Sequence, residues 1–258
     1  MEKAAKQQNK RKRQDAIVAE LRASPAIRIV ELAAEHDVST ETIRRDLDEM
    51  SAAGLISRTY GGAIGATLPQ EPVFDERLRA NMAQHIALAK AVLPLIANGD
   101  TLMVDAGSTT ISVAKRLAAE RSGLTVITTS FGVATAFASN PTIRVRICPG
   151  EFDSSEGGVR GPDTLSYLER FNVSFAIIGA SRLDGDGPSD FNSASVWIKR
   201  AMIRQAAASI LVVDSNKFDQ KALEHICLPD KINYLATDMM PPPNLEKALK
   251  RHGVRICL

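Results

Sequence analysis

The chain is poor in cysteine and histidine and has no long apolar run, and each shortage narrows what it can do. Of its 258 residues only Cys148, Cys227 and Cys257 are cysteines. They are odd in number and lack the C-x-x-C spacing of a zinc or redox site, so three buried thiols in a reducing compartment are expected. His36, His85, His225 and His252 are scattered, and no pair has the spacing of a metal-binding helix. No metal and no cofactor is expected. No stretch approaches the roughly 18 apolar residues needed to span a bilayer. The amino terminus is polar and basic with no apolar segment behind it, so no secretory leader is expected either. The expected location is the cytoplasm, away from membranes. A hydrophobic fraction of 45% and a net charge of +2 describe a globular chain that is not a general polyanion binder. Its length suits one large or two ordinary domains.

The positive charge that is present is uneven. Lys3, Lys6, Lys10, Arg11, Lys12 and Arg13 crowd residues 1–13 against Glu2 alone. Such an arm suits phosphates, where each neutralised contact adds salt-dependent affinity, and equally suits a solubilising tail. After it, Ile17, Val18 and Leu21 give the apolar side of a first helix ended by Ser24-Pro25. Ile27 and Ile29 form a brief extended segment. Val30, Leu32, Ala33 and Ala34 predict a second helix closing at His36-Asp37, where His36 reads as a polar helix end.

A short turn then leads into residues 38–62, V-S-T-E-T-I-R-R-D-L-D-E-M-S-A-A-G-L-I-S-R-T-Y-G-G. Ser39 is a helix N-cap residue, and Glu41 sits where the helix dipole favours it. Ile43, Leu47 and Met50 make one apolar stripe. Arg44 and Arg45 point away from it. Gly54 ends the helix, and residues 55–60, with Arg58 and Tyr60, predict a strand running into a Gly61-Gly62 turn. The pattern fits a helix for the major groove with a wing beside it, or an ordinary amphipathic helix with solvated arginines.

Residues 63–75 carry two prolines and no periodicity, and are expected to be a linker. Beyond them a long amphipathic helix over 78–96 precedes strand-like runs at 102–104, 126–127, 143–148, 175–178, 210–213 and 234–236. Helical runs at 112–120, 131–138, 165–171 and 197–208 lie between. Alternation of this kind predicts a mainly parallel sheet covered on both faces, with ligands at the carboxyl ends of the strands.

Those ends are polar. The first strand leaves through Asp105, Ala106, Gly107, Ser108, Thr109 and Thr110 straight into a helix, where hydroxyls and backbone N–H groups suit an anion. The turn is neither G-x-G-x-x-G nor a Walker A loop, which speaks against dinucleotides and nucleoside triphosphates. Later strands leave through Thr129-Ser130, Pro149-Gly150, Gly179-Ala180-Ser181 with a Gly/Asp loop to Asp190, and Asp214-Ser215-Asn216-Lys217. Lys199 and Arg200 lie early in the following helix. Singly each is ordinary turn chemistry. Together, a carboxylate, hydroxyls, N–H groups and lysines suit a small phosphorylated sugar or polyol. The candidate ligand set is Asp105, Gly107, Ser108, Thr109, Thr110, Thr129, Ser130, Gly150, Lys199, Asp214 and Lys217.

The run I-R-I-V-E-L-A-A-E-H-D-V-S-T-E-T-I-R-R-D-L-D-E-M-S-A-A-G-L-I-S-R-T-Y-G-G-A resembles the winged helix-turn-helix of the DeoR family of bacterial transcriptional regulators. The family pattern V-S-x-x-T-I-R-R-D-L is matched at every fixed position from Val38 to Leu47. That resemblance implies a double-stranded DNA operator as partner, faced by Ser39, Thr40, Thr42, Arg44 and Arg45 with Arg58 and Tyr60 on the wing. The rest resembles the same family's sensor half, which shares its fold with ribose-5-phosphate isomerase-like and CoA-transferase-like proteins. D-A-G-S-T-T, I-T-T-S, G-A-S-R-L-D-G, W-I-K-R-A-M-I and V-V-D-S-N-K-F carry this. D-G-P-S-D-F-N and T-D-M-M-P-P-P look most like the glycerol-3-phosphate repressor branch. Two positions depart. Ser195 stands where the family often has an acid, and Thr129 where it often has Asn, which bears on which polyol is read.

The expected architecture is a basic arm (1–13), a winged helix-turn-helix (14–62), a linker (63–75) and an α/β sensor domain (76–258). The expected function is an effector-controlled transcriptional regulator, most simply a repressor, working as a dimer or tetramer on paired half-sites. The alternatives are a sugar-phosphate isomerase with an appended DNA-binding module, which needs Asp105 or Asp214 as a general base, and an interaction module without a ligand.

Overall fold

In the amino-terminal unit the apolar spacing is spent on one small core. The computed structural model describes residues 10, 13, 14, 16, 17, 26–52, 56–59, 62–65, 81–154 and 156–258. It divides into two units, Met1–Gln70 and Glu71–Leu258. In the first, β1 (Ala26–Arg28) leads directly into α1 (Ile29–Glu35), and α2 (Thr40–Ala52) follows a tight corner. The expected stripe of Ile43, Leu47 and Met50 is buried with Ile17, Ile29, Leu32 and Ala33. The Ser39 hydroxyl accepts from the Thr42 N–H at 3.2 Å, the capping contact its position predicts. β2 (Ile56–Thr59) and β3 (Gly62–Gly65) form the wing. β3 is the central strand, antiparallel to both β1 and β2.

Two boundaries differ from expectation. The wing runs through Gly65, into the stretch read as linker, because a strand of Gly-Ala-Ile-Gly shows no side-chain alternation to mark it. Lys10 and Arg13, read as arm, fold against α2. Lys10 pairs with Glu49, and the Arg13 Nε donates to the buried Asp46 carboxylate at 2.6 Å. A carboxylate that deep requires a partner cation. Gly54, Tyr60, Gly61 and residues 66–80 lie outside the described residues, so the helix end, the wing tip and most of the expected linker do too.

The second unit begins with α3 (Met82–Val92) and then alternates. β4 (Thr101–Val104), α4 (Ser108–Glu120), β5 (Thr125–Thr128), α5 (Phe131–Ala138) and β6 (Arg144–Ile147) build one half. A hairpin of β7 (Glu151–Asp153) and β8 (Gly158–Arg160) precedes α6 (Pro162–Leu168) and β9 (Val173–Gly179). β10 (Arg182–Asp184), β11 (Gly187–Asp190), α7 (Ser193–Arg204), β12 (Ala206–Val212) and β13 (Glu224–His225) follow. β14 (Tyr234–Ala236), α8 (Pro243–Arg251) and β15 (Arg255–Cys257) complete it. The main sheet is parallel throughout, in the order β15-β14-β12-β9-β4-β5-β6. Alternate residues of its strands feed two cores. Leu102, Val104, Ile177 and Val212 pack on the α3–α4–α5 face, while Met103, Ala176, Ile178 and Leu211 pack on the other.

Three helices start earlier than apolar periodicity predicts. α4 begins at Ser108 rather than 112, α6 at Pro162 rather than 165, and α7 at Ser193 rather than 197. Their first turns are polar, and periodicity marks only the turns that touch the core. Ala206 and Ala208, read as the end of a helix, pair instead with Val173 and Phe175 of β9. Tertiary pairing overrides the helical preference of alanine there. Cys148 is buried, Cys227 and Cys257 only half-buried, and all three are free. Among the described residues no helix is long and apolar enough to cross a membrane. None of their His, Cys, Asp or Glu side chains gather into a group that would hold a metal.

Arg13→Ala is expected to destabilise the amino-terminal unit by about 3 kcal/mol, since it strands a buried charge. Thermal melts check this. Arg13→Met with Asp46→Leu, which removes both charges, should recover most of the loss.

Candidate functional site

The crevice that matters follows from strand order. β4 has β5 on one side and β9 on the other, so the chain's crossovers diverge between β4 and β9. Ligands collect at such a switch point, beyond the carboxyl ends of the strands. The cleft found there holds about 370 Å3 of empty space, its mouth included. The exit of β4 supplies Ala106, Gly107, Ser108, Thr109 and Thr110, and the exit of β9 supplies Gly179, Ala180 and Ser181. Glu156, Asp190, Lys199 and Lys217 complete the lining.

Three charged groups lock its floor. Asp105, Asp190 and Lys199 are 2%, 7% and 5% exposed. The Lys199 ammonium, from α7, pairs with Asp190 from the end of β11 and lies 3.4 Å from Asp105 Oδ2. The Ser181 hydroxyl donates to Asp190 Oδ1 at 3.0 Å, as does the Asn192 N–H at 3.3 Å. Asn192 also caps α7, its Oδ1 accepting from Ala194 and Ser195 N–H groups. The Gly179 N–H points at Asp105 Oδ2 across 3.4 Å, which joins the two sides of the switch point.

The two carboxylates are driven apart in acidity. Burial pushes Asp105 up to about 6, with Lys199 pulling it back and Asp190 adding to the rise. Burial also works against ionised Asp190. There Lys199's charge and the hydrogen bonds from Lys199, Asn192 and Ser181 outweigh it, holding the carboxyl below the usual carboxylate range. Asp190 is therefore the firm counter-ion, and Asp105 the carboxylate under strain.

Above this floor α4 opens the site. Its N-cap is Gly107, which offers no side-chain cap, so the first-turn N–H groups face the crevice with the positive end of the helix dipole. The Thr110 hydroxyl donates to the Asp105 and Gly107 carbonyls at 2.8 and 2.9 Å, fixing the turn. The Lys217 Nζ donates to the Ala180 carbonyl at 2.9 Å and so stands at the cleft wall.

Of the expected ligand set, Gly107, Ser108, Thr109, Thr110, Lys199 and Lys217 line the cleft, and Asp105 lies beneath it. Four others do not line it. The Ser130 hydroxyl caps α5 by accepting from the Val133 N–H at 3.2 Å. Asp214 accepts from the Asn216 N–H at 3.1 Å in its own turn. Gly150 sits against Thr164 and Arg160, where a β-carbon would meet Thr164 Oγ1 at 2.2 Å. The Thr129 hydroxyl is buried without a hydrogen-bond partner. Sequence reasoning left out Asp190, Ser181 and Glu156. Asp190 and Ser181 had been read as strand-end polar residues, but nothing in their spacing brings them to Asp105. Arg200, next to Lys199, turns the other way and clamps Glu224 and the His225 and Ile226 carbonyls.

On α2, Arg44 and Arg45 expose 56% and 77% of their side chains, and both lie near Glu41, at 3.7 and 3.5 Å. Such exposed pairs are worth only about 0.3–0.5 kcal/mol, so competing phosphates release them readily. Thr40 is exposed, and Thr42 shares a hydrogen bond with Ser39 at 2.9 Å. Arg58 lies in β2 with its side chain outside the described set, as Tyr60 is entirely.

The DeoR C terminal sensor domain matches residues 80–239, and the DeoR-like helix-turn-helix domain matches residues 13–67. The chain belongs to the DeoR family. It is similar to the glycerol-3-phosphate regulon repressor of Escherichia coli strain K12, 32% identical over 88% of this chain and 90% of that one. The transcriptional repressor AccR of Agrobacterium fabrum is also 32% identical, over 88% of each. Among solved structures, ribose 5-phosphate isomerase A of Methanocaldococcus jannaschii covers 52% of this chain and 53% of its own, at 15% identity and a TM-score of 0.39.

Asp105 has a folded-state pKa above its unfolded value. It adds stability below the unfolded value, and that contribution is lost as pH rises through about 6. Asp105→Asn is therefore expected to stabilise the protein at pH 7.5 by ~2 kcal/mol and to flatten the loss of stability between pH 4 and 7. Chemical denaturation across that range checks it, and a variant less stable than wild type at pH 7.5 refutes the strain at Asp105.

Proposed function

We propose that this DeoR-family regulator is a cytoplasmic repressor whose operator affinity is set by a small phosphorylated sugar or polyol held at the β4/β9 cleft. The observation carrying this reading is the uncapped amino end of α4, opening beside Lys217 onto a floor of buried, hydrogen-bonded carboxylates. Helix N–H groups and an ammonium suit phosphate oxygens, and carboxylates suit sugar hydroxyls. The printed name of the Escherichia coli relative, a glycerol-3-phosphate regulon repressor, supports the same chemistry. The paired arginines of α2, with Thr40, are the groups offered to DNA, one to guanine edges and one to a phosphate. Paired half-sites call for at least a dimer.

Effector and operator are coupled through different affinities of two states of the protein. An enzymatic reading is not favoured, because both halves of the chain match regulators. Turnover of ribose 5-phosphate by the purified protein would reverse that ranking.

In a titration of the protein–operator complex, phosphorylated sugars and polyols should change DNA affinity while their unphosphorylated parents do not. A panel in which none alters DNA affinity or thermal stability sinks the effector assignment. Separately, Arg44→Ala and Arg45→Ala should each weaken operator binding, by about 1–3 kcal/mol for whichever reads a base. Wild-type affinity in both variants would remove α2 as the recognition helix.

A further inference from the structure

The outward line of α2 does not run through arginines alone. Ile43, Leu47 and Met50 fix which side of the helix faces the core. At roughly 100° per residue, Glu41 lies almost opposite Ile43, with Arg45 beside it on the outward side and Arg44 flanking them. Glu41 exposes 60% of its side chain and lies close to both guanidinium groups. In the first turn Thr42 is committed to the cap, since its N–H and its hydroxyl both bond to the Ser39 hydroxyl. The first-turn residue that points most directly away from the core is therefore a carboxylate.

On a face that meets DNA, that placement carries a cost. A recognition helix brings its amino-terminal residues to the base edges, between two rows of phosphate charge that repel a carboxylate. An ionised carboxylate only accepts hydrogen bonds. Phosphate oxygens, guanine O6 and N7 and thymine O4 are acceptors too, so none of them satisfies it. The donors of the major groove are the adenine N6 and cytosine N4 amino groups. Adenine places its N7 acceptor next to N6, against the second carboxylate oxygen, whereas cytosine presents its amino group without an acceptor beside it. Helix support accounts for less of this. Glu41 does suit the helix dipole and does pair with Arg44 and Arg45 three and four residues on, but exposed pairs of that kind contribute little.

We infer that Glu41 is a specificity-determining residue of the DNA interface, selecting a cytosine of the operator by accepting from its N4 amino group. This rests on the reading of α2 as the recognition helix and deepens it. Arginine matches guanine O6 and N7, so the acid and its neighbouring arginines together complement both bases of a G·C pair. Against DNA without a cytosine in that place, the carboxylate meets only acceptors and weakens binding. Glu41 therefore lowers affinity for arbitrary sequences and widens the gap between them and the operator.

The test presents the full chain with a library of randomised DNA duplexes and reads the bound sequences for wild type, Glu41→Gln, Glu41→Ala, Arg44→Ala and Arg45→Ala. Affinities for the wild-type consensus duplex, for single-base variants of it and for a scrambled duplex are then measured at one salt concentration. In wild type, changing one cytosine to thymine should weaken binding about fivefold or more. Glu41→Ala should lose most of that discrimination, keep the guanine preference of the arginines and bind the scrambled duplex more tightly. Glu41→Gln should shift the preference at that position toward adenine, whose N6 and N7 an amide matches. Base preferences unchanged at every position in both Glu41 variants, whatever the overall affinity, overturn the inference. Preferences altered only in the arginine variants leave α2 standing as the recognition helix without it. Preferences unchanged in all four variants overturn both this inference and the recognition-helix reading.

Discussion

One ammonium group holds the sensor unit's site together. Lys199 comes from α7, Asp105 from the end of β4 and Asp190 from the end of β11, elements that meet only in the folded sheet. Removing the lysine would leave two buried carboxylates side by side, a loss of several kcal/mol that a domain of ordinary stability barely survives. Because Asp105 lies at the reversal of strand order, the same ion pair also fixes the walls of the crevice. The charge that keeps the sheet ends together is therefore also the charge that shapes the crevice.

This arrangement explains why the site is costly to keep. Asp105 is held ionised at neutral pH against its burial, and the amino end of α4 is left without a side-chain cap. Neither feature serves stability. Both suit a ligand that brings hydroxyls to the carboxylates and oxygen anions to the helix. In the amino-terminal unit the corresponding unspent groups are the exposed arginines of α2, tied to Glu41 only by weak, solvated pairs. Each unit thus holds its chemistry in readiness, one toward a small anion and one toward a polyanion.

Much of this was legible in the sequence, for reasons that differ by element. The α2 stripe could be read because a short helix on a small core must bury Ile43, Leu47 and Met50 at helical spacing. The inner strands of the parallel sheet, β4, β5, β9, β12 and β14, could be read because they are largely buried on both faces and hence mostly apolar, whereas the half-exposed edge strand β15 was not read. β7, β8, β10, β11 and β13 were missed, since strands of two to four residues with glycine, proline and charges carry no such signal. Asp190 was left out of the ligand set because only the fold brings the S-D-F-N turn to Asp105. Gly150, Ser130 and Asp214 were included for the opposite reason. Polar strand-end residues look alike in sequence, and only the structure shows which of them face the cleft and which cap a turn.

The central claim, that the cleft of one unit governs the DNA affinity of the other, is tested most directly by the coupling itself. Operator affinity is measured with and without saturating glycerol 3-phosphate, in wild type and in Lys217→Met. Wild type should show a change of about fivefold or more, the lower range of typical allosteric couplings. Lys217→Met should bind operator normally without effector and lose most of the response. A response of equal size in Lys217→Met, at the same ligand concentrations, would contradict the account.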